Sequence, residues 1–208
     1  MTVVEQDRID FTMMYATHHA FRRDLDRLTS AAVVGTSGAP RVRAGWDNFK
    51  TQLLLHHNVE DTHLWPQLRL VLADRPGDLA LIGEMEAEHA TLDPLLAAVD
   101  AAMDDRPSVL TDVVHRVSVT LGDHLKHEED EALPLMQSVL APADWRRFAA
   151  QMRRRQGIRG AATYVPWVLD GAPLAEQKQF LGALPAPLRL IARQVWEPRY
   201  QKQDRWNR

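Results

Sequence analysis

Apolar residues recur every three or four positions through the first two thirds of the chain, which is the spacing of one helix face. Phe11, Met14, His18, Phe21, Leu25 and Leu28 predict a helix over 7–30, and Trp46, Phe49, Leu53, His56, Glu60, His63 and Leu68 a second over 42–73. Ile82, Met85, His89, Leu92, Leu96, Val99 and Met103 mark a third over 78–104. Val113, Val117, Leu121, His124, Glu128 and Leu135 mark a fourth over 108–140. Gly35 to Pro40, Asp74 to Gly77 and Asp104 to Pro107 separate them, and Pro142 closes the series. No two-residue alternation predicts a strand. The fold class is therefore all-α: an antiparallel up-down-up-down four-helix bundle over 1–142, with a helical extension over 143–208 packed on it. Pro66 and Pro134 fall late in the second and fourth helices, where the missing amide hydrogen predicts a kink.

The extension begins with a helix over 144–155 in which arginines alternate with Trp145, Phe148 and Met152. Gly157 and Gly160 are expected to interrupt it. An apolar segment, Thr163 to Leu169, follows, then helices near 174–183 and 187–196. Its tryptophans argue for a packed lid rather than a disordered tail. Net charge is -3 over 208 residues, unevenly spread: 1–142 carries 12 Lys+Arg against 23 Asp+Glu, and 143–208 carries 13 against 5. A basic tail on an acidic body is expected to pack against that body. Nucleic acid is the lesser expectation, because the basic residues form no continuous stripe.

The inward rows carry residues that a plain core would not. His56 and Glu60 stand four apart, as do His124 and Glu128, so each pair projects from one helix face. An offset of 68 superposes them and also maps Asp61 onto Glu129 and Pro66 onto Pro134. His18 and His89 sit on the inward rows of the first and third helices. Four imidazoles and two carboxylates in one buried layer would be very costly without a metal. Cysteine is absent, so any metal is held by nitrogen and oxygen, which suits iron, manganese or zinc.

The neighbouring polar residues are expected to be less central. His19, His57 and His127 lie about 100° off the ligand faces and are expected to face solvent. His63 is expected beside the ligands or at the surface, and His115 is expected to be structural. Asp61, Glu129 and Asp130 are expected to form a solvated face from which a carboxylate can reach a ligand imidazole. Tyr15 and Tyr164 are speculative catalytic phenols, each better explained as aromatic packing. Met13, Met14, Met85, Met103 and Met136 are core filling.

These paired motifs, each with a histidine on a matching helix, resemble the hemerythrin-like family, the HHE cation-binding domain, over residues about 8–140. The resemblance implies a non-haem di-iron centre with a bridging oxo or hydroxo group. Glu60 and Glu128 would span the irons, with His18, His56, His89 and His124 as terminal ligands. Oxygen-carrying members use a fifth histidine four residues before the one on the third helix, and Met85 occupies that position here. The coordination position so opened points away from simple oxygen carriage.

Two functions stay open. One is an oxidoreductase turning over peroxide or nitric oxide; the other is a non-catalytic module that senses or stores oxygen, nitric oxide or iron. A third possibility is a helical bundle with vestigial histidines. The expected partners are small diatomic molecules or peroxide, with no membrane: no run approaches eighteen apolar residues, and the polar N-terminal stretch predicts a cytoplasmic protein. A nucleophilic hydrolase is poorly supported, since neither a cysteine nor a Gly-x-Ser-x-Gly turn is present.

Overall fold

The computed structural model describes residues 8–105 and 107–206. The start of the first predicted helix at Asp7, the stretch before it, and Arg106 of the third turn lie outside the described residues. All regular structure among the described residues is helical. Helix α1 (Thr12–Val34) starts where the Asp10 carboxylate accepts the Thr12 amide at 2.9 Å. Prolines open α2 (Pro40–Val59), α4 (Pro76–Asp105) and α7 (Pro142–Leu169), at positions where no amide hydrogen is needed. Between them lie α3 (Trp65–Val71), α5 (Leu110–His127) and α6 (Leu133–Val139). The extension continues as α8 (Leu174–Gly182), α9 (Ala186–Ile191) and α10 (Glu197–Gln201). Helix α1 packs on α2 and α5, and α4 packs on α3 and α5, which closes the bundle.

The kinks expected at Pro66 and Pro134 take a specific form. Glu60–Leu64 and Glu128–Ala132 are π-helical turns joining α2 to α3 and α5 to α6, and in each the amide that closes the turn bonds five residues back, to the carbonyl of the glutamate. Each turn ends two residues before its proline, and a third, Ala192–Trp196, ends two residues before Pro198. Widening the helix there relieves the collision between the proline ring and the preceding turn. Proline does not suffice by itself, since Pro94 in α4 and Pro166 in α7 have no such turn.

Two apolar clusters fill the interior. One gathers Phe21, Leu25, Trp46, Phe49, Leu53, Leu92, Val117, Leu121 and Leu125 with Trp167 and Phe180 of the extension. The other gathers Met14, Val59, Leu64, Trp65, Ile82, Met85, Leu133 and Met136 with Phe148. On each helix the predicted donor falls between the two clusters, as His18 falls between Met14 and Phe21 and His89 between Met85 and Leu92. The donors are thereby stacked in a layer with hydrocarbon above and below.

The extension departs from expectation in two ways. Gly160 does not interrupt α7; only Gly157 breaks the helical path, at φ 60°, a left-handed conformation that glycine adopts without strain. Among the described residues the basic side chains of the extension also form no ion pair with the bundle. The ion pairs that join it to the bundle run the other way, from Arg27 to Asp170 at 3.0 Å and from His19 to Glu176 at 3.1 Å. Attachment is chiefly apolar, locked by Trp167, whose indole donates to the buried Asp24 carboxylate at 2.7 Å. Trp206 tucks in as well, its ring covering Gly45 so closely that no Cβ would fit there.

Candidate metal centre

Helix α1 supplies His18, α2 supplies His56 and His57, α4 supplies His89 and α5 supplies His124; Glu60 and Glu128 are the first residues of the two π-turns within the bundle. All seven are buried, Glu60 and Glu128 completely. His18 and His56 face each other with Nε2 atoms 3.3 Å apart, and His89 and His124 do so at 3.1 Å. Glu60 reaches both pairs: Oε1 lies 3.2 Å from His56 Nε2 and Oε2 lies 3.8 Å from His89 Nε2. Glu128 Oε2 lies 3.3 Å from His18 Nε2. The six residues expected from sequence thus meet in one layer.

Surrounding carboxylates fix the imidazoles. His18 Nδ1 bonds Glu129 at 2.8 Å, His89 Nδ1 bonds Asp61 at 2.8 Å, and His124 Nδ1 bonds Glu88 at 2.8 Å. An ionised carboxylate only accepts, so each Nδ1 carries a hydrogen, and in the neutral ring Nε2 then presents its lone pair inward. Nε2 of His89 and Nε2 of His124 lie 3.1 Å apart, and with both rings neutral their two lone pairs oppose each other, an arrangement that a cation stabilises. Asp61 and Glu129 therefore act on imidazoles of the layer. Arg22 clamps Glu129 with two bonds, at 2.8 and 2.9 Å. Glu88 had no signal in the sequence; it also bonds His127 at 2.8 Å and holds that ring only part exposed.

Electrostatics agree with a cation-binding layer. Burial, then the charge of Glu128, pushes the Glu60 carboxyl well above the ordinary carboxylate range. Burial would raise Glu128 too, but His18 and His56 beside it bring it below that range. Burial and the neighbouring imidazoles keep His56 and His57 neutral, well below an ordinary histidine. Both oxygens of Glu60, both of Glu128, and His57 Nε2 are buried without a hydrogen-bond partner. Burying so many lone pairs unmatched is expensive, and bound metal would satisfy them. The residues fit the metal that the donor set implies.

A family model, the hemerythrin HHE cation binding domain, matches residues 10–136. The chain belongs to the hemerythrin HHE cation-binding family. No curated protein and no solved structure matches it. The match spans the four rods of this HHE bundle and stops before α7, so the extension lies beyond it.

One expectation for this HHE chain is overturned. His57 does not face solvent: it is 6% exposed, and its ring stacks on His89 at 3.8 Å between centroids with the planes 10° apart. A helix in a bundle has two neighbours about a quarter-turn apart, and consecutive residues diverge by about 100°. His56 is turned to His18 on α1, and His57 to His89 on α4. The sequence held the signal, because the offset of 68 maps His57 onto Leu125, a fully buried residue. His19 and His115 are exposed.

Neither tyrosine joins the donors. Tyr15 is 39% exposed. Tyr164 shares a 2.6 Å hydrogen bond with Thr17 and packs against Trp167 and Phe180. A surface cavity of about 660 Å³ beside α1, lined by His19, Arg22, Arg23 and Trp206 among others, includes no donor. Among the described residues no helix is long and apolar enough to cross a membrane.

Proposed function

We propose that the protein holds two iron ions, with a bridging oxo or hydroxo group, between His18, His56, His89, His124, Glu60 and Glu128, and acts on small oxidants there. Peroxide, oxygen and nitric oxide are the candidates. Manganese or zinc suits the same nitrogen and oxygen donors less well as a redox centre. The observation that carries this is Glu60: a fully buried carboxylate whose two oxygens are turned to different histidine pairs. One cation would need only one of those pairs. Bound iron supplies reversible one-electron chemistry and affinity for diatomic or peroxidic ligands.

The protein's own residues set the conditions. Asp61, Glu88 and Glu129 hold the imidazoles in the tautomer that leaves Nε2 free, and Arg22 keeps Glu129 charged. The apolar clusters on both sides exclude water, which limits useful reactants to small molecules that cross hydrocarbon. A non-catalytic sensor or store is the second reading, favoured by the extension packed on α1 and α2, which could respond to occupancy.

Metal content per chain, the optical spectrum, and consumption of peroxide or nitric oxide test the proposal. Two irons per chain and turnover are expected, with both lost in Glu60→Ala. A purified protein that takes up no iron would overturn it, and a stable optical adduct without product would decide for the sensor or store.

A further inference from the structure

We propose that His57 is a seventh donor, ligating through Nε2 the cation held by His89 and His124. This rests on the two-iron reading above and names a ligand outside it. Nε2 of His57 is buried with no hydrogen-bond partner. Its ring lies flat on that of His89 and edge-on to that of His124, with centroids 5.2 Å from the latter. One ligating atom from each of these three rings falls within 4.8 Å of the others. Such a triangle of buried lone pairs is the geometry of a cation site.

Packing does not account for an imidazole here. The matching position on α5 is Leu125, fully buried in the equivalent setting, so a side chain of similar size without nitrogen fits. Leucine at 57 would avoid the cost of a buried unpaired nitrogen. Met85, one turn before His89, lines the apolar cluster on that side and offers no nitrogen. The third imidazole comes from the neighbouring helix instead. The two cations are then held unequally, one by three imidazoles and the other by His18 and His56.

Anaerobic titration of the full chain with Fe(II), followed by Mössbauer spectra and thermal unfolding with and without iron, tests this in wild type, His57→Leu and His57→Gln. Wild type is expected to show two inequivalent irons. Both variants should bind one of the two irons on the order of 10–100-fold more weakly or worse, the scale at which even outer partners of a ligand act. The stabilisation by iron should shrink accordingly, while metal-free His57→Leu unfolds at or above the wild-type temperature. His57→Gln keeps a polar side chain of similar size, so it carries the comparison if the leucine variant folds poorly. Variants that retain both irons with wild-type affinity and spectrum would overturn the role of His57 alone. Failure of wild type to bind iron would overturn the two-iron reading and this inference with it.

Discussion

The two halves of the donor layer descend from one pattern but are held differently. Around His89 and His124 the structure is polar: Asp61 and Glu88 each grip an Nδ1, and His57 stacks alongside. Around His18 and His56 it is largely apolar. Glu129 holds His18, but His56 Nδ1 has no partner, and Phe21 packs against that ring at 5.5 Å with Trp167 behind it at 5.2 Å. Matching His18 to His89 puts Thr17 opposite Glu88, and Thr17 bonds Tyr164 of the extension rather than a ligand. The repeated helices fixed where the donors stand. Their neighbours made one half a place of hydrogen bonds and the other a place of packing, against a segment outside the family domain.

Truncating Trp167 gives the largest effect that tests this contrast. Trp167→Ala removes a fully buried indole and leaves Asp24 Oδ2 without its donor, while Oδ1 keeps Arg23 and Arg27, so metal-free protein should lose about 3–5 kcal/mol in urea unfolding. A loss under about 1 kcal/mol would mean that the extension does not support the His56 half.

Glu88 and Thr17 sharpen the comparison at matched positions. Glu88→Ala frees His124 Nδ1 and should weaken iron binding about 10–100-fold by competition with a chelator. Thr17→Ala should change it less than about twofold, because Thr17 contacts no ligand imidazole through its hydroxyl. Equal effects would erase the distinction between the halves.

A separate effect appears at high pH. Burial pushes the Tyr164 phenol up to about 12, against the pull of the Thr17 hydrogen bond, while the unfolded chain ionises near the ordinary 10.0. A raised folded value means that stability is fully present below pH 10 and declines as pH climbs towards 12. Tyr164→Phe should reduce that decline by about 1–2 kcal/mol in unfolding followed at successive pH values. An unchanged decline would assign it to Tyr200, which burial raises further still.

Much of this was legible before any coordinates. The three-and-four spacing gave the four rods, and two His-x-x-x-Glu pairs in register, with His18 and His89 on the inward rows of the other two helices, gave six candidate donors, because helix geometry alone fixes which residues share a face. Glu88 was not legible, since a carboxylate beside His89 reaches a different histidine, His124, only across an interhelical gap. The π-turns were half legible: Pro66 and Pro134 announced a disturbance, but Pro94 and Pro166 show that proline alone does not select its form. Charge composition misled about the extension: among the described residues, the ion pairs between it and the bundle use its acidic residues, Asp170 and Glu176.

By itself the sequence determined what each helix offers to its own interior face, because backbone periodicity is local. The tertiary structure decided what lies between helices: which neighbour each histidine meets, which carboxylate holds its far nitrogen, and that His56 and His57 both turn inward. Those choices depend on the placement of two helices relative to each other, and packing across the whole core sets that placement.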